Sequence, residues 1–256
     1  MEIVLIGSGG VATHLGLAFK AKGIKISQVF SRDAANAENL AKKLETTFIT
    51  DISELYMNAD FYIYALKDSA LKYFLKKMNM PDGIQIHTAG SLPMSDFEGY
   101  TTQYGVFYPL QTFSIPKPVN FSHVPICIEA CNMEVLEKIN NLAKLLSDNV
   151  HIIDSEQRKK LHLAAVFACN FTNYMYDISS QILEDSGINF DLLKPLIFET
   201  SNKIKTLEPY AAQTGPAVRF DEKTIDRHLR MLNKYPDIKK IYNLLSKDIY
   251  KRHKKQ

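Results

Sequence analysis

The sequence has few cysteines and no long apolar run, and both shortages exclude classes of protein. Its three cysteines, Cys127, Cys131 and Cys169, are too few for the disulfide framework of a small secreted domain. Neither a second cysteine pair nor a nearby histidine completes a zinc site with Cys127 and Cys131, so we expect no bound metal. No apolar stretch approaches the roughly 20 residues of a membrane-spanning helix. The first residues do not resemble a signal peptide, and we expect a soluble, cytoplasmic protein.

An excess of charge of either sign is also missing. The chain of 256 residues has 31 Lys and Arg against 28 Asp and Glu, a formal net charge of +3. Much of that excess lies in residues 251–255, which form a basic C-terminus. Because no nucleic-acid-binding motif accompanies these residues, we expect a solvated terminus and no nucleic-acid partner.

Short apolar runs alternate with helical patterns in the first part of the chain. Strands are predicted at residues 3–6, 26–30, 61–65, 84–88, 103–108, 124–129 and 150–153. This alternation is typical of βαβ units and predicts an α/β fold of the Rossmann type, with a doubly wound, mostly parallel sheet.

From residue 155 onward the pattern is helical throughout. Helices are predicted over residues 156–183, 190–206, 223–232 and 238–251. We therefore predict two domains, residues 1–154 with the sheet and residues 155–256 with helices alone. The helical domain has more apolar residues than its partner domain can cover, which favours a homodimer formed through it.

A glycine-rich motif follows the first strand. Gly7, Ser8, Gly9, Gly10, Val11 and Ala12 match G-x-G-x-x-A, the fingerprint of dinucleotide-binding Rossmann domains. The motif ends a predicted strand and begins a predicted helix, as its mechanism requires. Gly7 allows a tight turn, Gly9 lets the backbone approach a pyrophosphate, and Ala12 allows the helix to pack on the sheet.

The end of the second strand indicates which dinucleotide is bound. An NAD site usually has Asp or Glu there, whereas this chain has Ser31 and Arg32. A hydroxyl and a guanidinium suit the 2′-phosphate of NADP. Asp33 follows at once and leaves NAD as an alternative, although its side chain also suits the cap of the next helix.

Two further loops are predicted at the carboxyl ends of strands, where open α/β sheets bind ligands. Ala65, Leu66 and Lys67 are expected beneath the ribose and nicotinamide. His87 and Ala89 lie in the other loop, and His87 would bring a titratable group near the position of hydride transfer. A histidine that is only hydrogen-bonded to the sheet edge is an equally good interpretation.

These motifs resemble the N-terminal domain of pyrroline-5-carboxylate reductase and of the 6-phosphogluconate and β-hydroxyacid dehydrogenases. Over nearly the whole chain the sequence is similar to a bacterial family of candidate NADP oxidoreductases with a helical domain of unknown function. The strings that support this resemblance are residues 87–91, 108–113, 162–171 and 214–219. The resemblance implies NADP as cofactor and an all-α C-terminal domain like that of the 6-phosphogluconate dehydrogenase group. The active-site strings of pyrroline-5-carboxylate reductase and β-hydroxyacid dehydrogenases are absent.

Three polar residues are spaced to share one face of the long helix after residue 155. His162 and Asn173 are eleven residues apart, about three turns, and Asn170 lies between them. His162 resembles in position the catalytic lysine of the dehydrogenases and is our candidate proton donor. Asn170 would orient the substrate, and Asn173 would lie in its pocket. An equally strong alternative is that these side chains join the helix to the first domain or to a second subunit.

Further candidates lie on loops. Arg219 follows a Gly-Pro turn and is predicted to bind an acid group of the substrate, unless it pairs with Asp221. Five other residues are assigned to the substrate pocket: Tyr108, Gln111, Thr112, Thr214 and His228.

The sequence therefore predicts an NADP(H)-dependent oxidoreductase that exchanges hydride with a small carbonyl, imine or hydroxy compound. The alternative from another class is a non-catalytic NADP-binding protein that senses redox state or acts as a scaffold.

Overall fold

The computed structural model describes residues 1–254, so Lys255, part of the predicted basic terminus, lies outside the described residues. The chain divides into two compact units, Met1–Asn170 and Phe171–Gln256. The predicted boundary at residue 154 marks the change from strands to helices, and the division into two functional domains there stays a prediction. The first compact unit extends further because the helix that begins at Ser155 is anchored to the sheet.

The first unit contains every strand of the described chain and the helices between them. The strands are β1 Glu2–Ile6, β2 Lys25–Phe30, β3 Thr47–Ile49, β4 Phe61–Tyr64, β5 Ile84–His87, β6 Tyr104–Pro109, β7 Ile126–Ala130 and β8 Val150–Ile152. The α-helices of this unit are α1 Gly10–Ala21, α2 Ala34–Leu44, α3 Leu71–Leu75, α4 Met133–Lys144 and α5 Ser155–Ala165.

The second unit is helical. It contains α6 Thr172–Glu184, α7 Lys194–Lys203, α8 Glu222–Met231 and α9 Pro236–His253. Within residues 1–254, none of the helices is both long and apolar enough to cross a membrane.

The strands form one sheet in the order β3-β2-β1-β4-β5-β6-β7-β8. All neighbouring pairs are parallel except β6 and β7, which confirms the predicted Rossmann-type, mostly parallel sheet. β1, β4 and β5 are buried almost along their whole length. Strands covered by helices on both faces require such continuous apolar runs, which is why the sequence pattern located them.

Two helix predictions need correction. The predicted uninterrupted helix over residues 156–183 is wrong, because a π-helical segment, Val166–Phe171, separates α5 from α6. Asp51 and Glu54 have the spacing of a capping box, which predicts a further helix, but they do not start an α-helix. Asp51 accepts a hydrogen bond from the Ser53 backbone N–H at 2.9 Å, and the segment forms a single 3₁₀ turn.

A buried ion pair fixes α5 to the sheet. The Arg158 side chain is fully buried and pairs with the Glu129 carboxylate on β7. The guanidinium also donates to the Leu92 carbonyl oxygen and, at 3.1 Å, to Ser155 Oγ. Because a buried charge without partners is very unfavourable, this arrangement determines where α5 lies on the sheet.

Replacement of Arg158 by Ala is expected to lower the free energy of unfolding by about 3–5 kcal/mol, since it leaves Glu129 charged and unpaired. The double variant Arg158→Met, Glu129→Leu removes both charges and should recover most of that loss. Urea unfolding followed by circular dichroism measures both values. A single variant as stable as the wild type would show that the ion pair does not anchor α5.

Candidate active site

The carboxyl ends of four strands lie side by side. Ile6 of β1 is in register with Phe30 of β2 and with Tyr64 of β4, and Tyr64 is in register with His87 of β5. The loops that follow these strands therefore start at the same edge of the sheet. Strands β2 and β3 are added on one side of β1, and the strands from β4 onward on its other side. Open α/β sheets bind ligands at the carboxyl edge next to such a change in strand order.

Gly7 makes the turn after β1. Its φ of +125° is in a region that L side chains rarely adopt, and a Cβ there would lie 2.2 Å from the Ala65 carbonyl oxygen. Only glycine therefore allows the first loop to pack against Ala65. Ser8 then donates a hydrogen bond to Ser31 Oγ at 2.8 Å, which joins this loop to the one after β2.

The backbone at Gly9 is open to a ligand. A Cβ on Gly9 would meet no atom of the described residues within 4 Å beyond its chain neighbours. Gly9 precedes α1, whose first turn consists of the uncharged residues 10–13, and Ala12 is buried against the sheet. Exposed backbone N–H groups at an uncharged helix start suit a pyrophosphate, so the residues present fit a dinucleotide.

The two charged residues after β2, Arg32 and Asp33, have different surroundings. The Asp33 carboxylate caps α2, accepting bonds from the Asn36 N–H at 3.0 Å and from Asn36 Nδ2 at 2.7 Å. The Arg32 guanidinium is exposed and lies 5.7 Å from the centre of the Phe74 ring. Arg32 is thus available to an anion, whereas Asp33 is occupied by the helix.

The loops after β4 and β5 are linked. Leu66 is half-buried and Lys67 is exposed. Asp68 starts a 3₁₀ turn that leads into α3, and its carboxylate accepts a hydrogen bond from Ser91 Oγ.

His87 is the last residue of β5, and its side chain is buried. Its ring is buried and stacked on Phe97 with centroids 5.8 Å apart. Burial, together with the nearby Arg158 charge, lowers its pKa to about 3, so the ring is neutral. Nδ1 accepts a hydrogen bond from the Ala89 N–H at 3.2 Å. The burial of its ring and this bond favour the interpretation of His87 as a histidine hydrogen-bonded at the sheet edge, and a position near hydride transfer stays a prediction.

A cleft of about 690 Å³ opens within the first unit. One wall is the start of α1 at Gly10 and Val11, the second is residues 110–113 after β6, and the third is residues 161–170 of α5 and the π segment. It brings together the predicted residues Tyr108, Gln111, Thr112, His162 and Asn170. The lining side chains are apolar or carry neutral polar groups, in addition to the imidazole of His162.

His162 is held between Tyr108 and Gly90. Its Nδ1 is 3.0 Å from the Tyr108 hydroxyl, and the two rings meet edge to face. A Cβ on Gly90 would lie 2.6 Å from Cγ and Nδ1 of His162, so only glycine fits there. The sequence placed Tyr108 in the pocket but gave no indication that it pairs with His162. The contact of Gly90 was also missed, although Gly90 lies in one of the family strings.

Asn170 is exposed on the cleft wall. His162, Asn170 and Asn173 would share one face only on a regular α-helix, and the π segment between His162 and Asn173 breaks that spacing. A π turn closes i→i+5 hydrogen bonds and therefore changes the helical phase of every residue after it.

The remaining predicted residues belong to the second unit. Asn173, Thr214 and Arg219 are exposed. His228 is half-buried, and its Nδ1 is 2.8 Å from the Tyr242 hydroxyl, which occupies it in the packing of α8 on α9. Asp221 caps α8 through the Thr224 N–H at 3.1 Å. In the part of the chain that the structure describes, no group of three metal-binding side chains is found.

Comparison with known proteins identifies the family. Residues 2–88 match the model described as NADP oxidoreductase coenzyme F420-dependent, and residues 124–249 match a domain of unknown function, DUF2520. A candidate NADP oxidoreductase from Bacteroides fragilis is 46% identical over 98% of both chains, with a TM-score of 0.95. The chain belongs to this family of NADP oxidoreductases. Its cofactor is NADP, as Ser31 and Arg32 predicted.

More distant solved structures share the fold. The 1-pyrroline-5-carboxylate reductase of Streptococcus pyogenes is 12% identical over 98% of both chains, with a TM-score of 0.64. The imine reductase of Myxococcus stipitatus, solved with NADP⁺, is 14% identical over 100% of this chain and 93% of its own, with a TM-score of 0.65. The sequence has no significant match among curated proteins.

Replacement of Arg32 by Ala is expected to raise the Kd for NADPH about 10-fold to 100-fold, since a hydrogen bond to a charged group contributes about 1.5–3 kcal/mol. NADH has no 2′-phosphate, and its Kd should not change. Titrations followed by nicotinamide fluorescence measure both constants. Lys77→Ala is the matched control, because Lys77 is another exposed cation beside an aromatic ring, that of Tyr73. Equal losses for both nucleotides would contradict recognition of the phosphate by Arg32.

Proposed function

We propose that this oxidoreductase reduces the C=O or C=N bond of a small, uncharged compound, with His162 as the proton donor. The observation that carries the proposal is the cleft itself. It begins at Gly10 and Val11, directly after the glycine loop, and its opposite wall presents His162. A reductase needs this arrangement, in which the cofactor site and a proton donor share one cavity.

NADPH bound at the glycine loop would supply the hydride. The N–H groups around Gly9 and the start of α1 would bind its pyrophosphate, and Ser31 and Arg32 its 2′-phosphate. We assign the positioning of the remainder of the dinucleotide to the loop at Ala65, Leu66 and Lys67 and to Ala89.

His162 would act on the oxygen or nitrogen of the reduced bond. As hydride arrives at carbon, negative charge develops on that atom, and a ring N–H of His162 stabilises it and transfers the proton. Gln111, Thr112 and Asn170 offer neutral hydrogen-bonding groups that can orient a carbonyl or imine, and Tyr108 lines the same cleft. Distant relatives of the same fold include imine reductases, which is consistent with this substrate class.

The neutral walls of the cleft favour an uncharged substrate, because a buried charge without a partner is unfavourable. Arg219 is the residue that would change this preference. Its binding of an acid group, with help from Thr214, stays a prediction, as do the pocket assignments of Asn173 and His228.

The helical unit supports a homodimer. Of its apolar side chains in the described chain, only Ile178, Ala217 and Leu232 are buried. Large apolar side chains are exposed instead, among them Leu192 at 72%, Leu196 at 61%, Phe198 at 66% and Leu244 at 69%. A monomer rarely exposes so much apolar surface, and we propose that a second copy of this unit covers it.

Replacement of His162 by Ala is expected to lower kcat about 100-fold to 10,000-fold, the usual contribution of a general acid, and to leave the Kd for NADPH unchanged. The substrate is found first in a screen of ketones and cyclic imines, each paired with its carboxylated analogue to test Arg219. His151→Ala is the control, because His151 is exposed on β8 and bonded to Asn149. A His162→Ala enzyme that keeps full kcat would rule out this role and favour another donor. A wild-type protein that binds NADPH but converts none of the compounds in the screen would favour the alternative of a non-catalytic NADP-binding sensor.

Replacement of Leu196 by Glu is expected to convert a dimer into a monomer, because the charge would be buried in the proposed interface. Analytical ultracentrifugation measures the mass of each form. Met133→Glu is the control, since Met133 is 77% exposed but lies in the first unit. A wild-type protein that sediments as a monomer would contradict the dimer.

A further inference from the structure

The contact between Tyr108 and His162 leaves a single hydrogen-bonding pattern for both side chains. Tyr108 is almost completely buried, and the only side-chain partner of its hydroxyl within residues 1–254 is Nδ1 of His162 at 3.0 Å. A buried hydroxyl hydrogen needs an acceptor, and Nδ1 is the one available. The Tyr108 hydroxyl therefore donates, and Nδ1 accepts.

The hydroxyl keeps its hydrogen at neutral pH. Burial raises the pKa of Tyr108 to about 12, an effect that the Arg158 charge only partly opposes. Tyr108 is thus a hydrogen-bond donor in the resting state.

The loop after β5 holds the ring from the other side. Gly90 leaves no room for a side chain between the loop and His162. The loop is itself fixed at two points, by the bond from the Ala89 N–H to His87 and by the bond from Arg158 to the Leu92 carbonyl oxygen. The imidazole therefore cannot move away from Tyr108 without displacing this loop.

We propose that Tyr108 is the positioning residue of the active site: its hydroxyl fixes neutral His162 in the tautomer that carries hydrogen on Nε2 and presents it to the cleft. Within the described chain, Nε2 has no hydrogen-bond partner and is left for the substrate. This inference rests on the proposed role of His162 and identifies which of its nitrogens acts.

The same contact supplies a path for the proton. As hydride forms a C–H bond at carbon, the π electron pair of the C=O or C=N bond passes to the oxygen or nitrogen. The Nε2–H bond of His162 then breaks, and a new O–H or N–H bond forms on that atom. The Tyr108 O–H bond then breaks and an Nδ1–H bond forms, so the ring stays neutral. Negative charge ends on the Tyr108 oxygen, where the Arg158 charge favours it, and solvent protons restore the resting state after product leaves.

Nitrogen NMR of ¹⁵N-histidine-labelled protein tests the tautomer without any substrate. In the wild type at high pH, the His162 signals should show an unprotonated Nδ1 that accepts a hydrogen bond and an Nε2 that carries a hydrogen. Tyr108→Phe keeps the aromatic ring of residue 108 but removes its hydroxyl donor. It should move both nitrogen signals of His162 toward those of an imidazole that exchanges freely between its two tautomers. Gly90→Ala should have the same effect by displacing the ring, although it changes neither hydrogen-bonding group.

Tyr242→Phe is the matched control, because the pair of Tyr242 and His228 has nearly the same geometry in the other unit. It should move the signals of His228 and leave those of His162 unchanged. Tyr108→Phe should also lower kcat at least about tenfold, with the Kd for NADPH unchanged.

The outcomes separate this inference from the proposed function. Wild-type signals that already show free exchange, or that do not respond to Tyr108→Phe, overturn the positioning role whatever the activity. A fixed Nε2–H tautomer in an enzyme that loses nothing on His162→Ala supports the contact but overturns the catalytic role of His162.

Discussion

The guanidinium of Arg158 is completely enclosed by protein, and three parts of the first unit depend on it. It pairs with Glu129 on β7, binds the Leu92 carbonyl oxygen after β5, and contacts Ser155 at the start of its own helix. Burying a charge is costly unless each of these partners is in place, so the ion pair specifies one position for α5. His162 follows Arg158 by four residues on the same face of α5, and its distance from Tyr108 and Gly90 is a consequence of that position.

The charges of the site are separated by function. Arg32 and Lys67 are exposed at the carboxyl edge of the sheet, where a phosphate-bearing cofactor arrives from solvent. The cleft has neutral walls, and the buried Arg158 charge is near enough to act on Tyr108, which lines it. In such a cavity the proposed hydrogen bond from His162 to the substrate would be little screened by water, which would strengthen its effect on a developing negative charge.

Much of the fold could be predicted from the sequence because strands covered on both faces are apolar throughout. The glycine motif located the ligand edge, and Arg32 the preference for NADP, since both depend on local backbone and charge. β3 was missed because Thr47–Ile49 is a short edge strand without an apolar run. The π segment was missed because a shift in hydrogen bonding is invisible to residue spacing. The burial of His87 and the partner of His162 depend on contacts between residues far apart in the chain, which periodicity does not report.

The start of α1 after the glycine loop and His162 line one cleft, and we propose that they act on the same cofactor and substrate. NMR of the labelled protein during a titration with NADPH tests this most directly, because it follows the amide signals of Gly9 and Gly10 and the ring signals of His162 together. We expect all of these signals to move along one saturation curve at micromolar NADPH, with much higher concentrations needed for NADH. Movement of the glycine signals alone, with His162 unaffected at saturation, would contradict it.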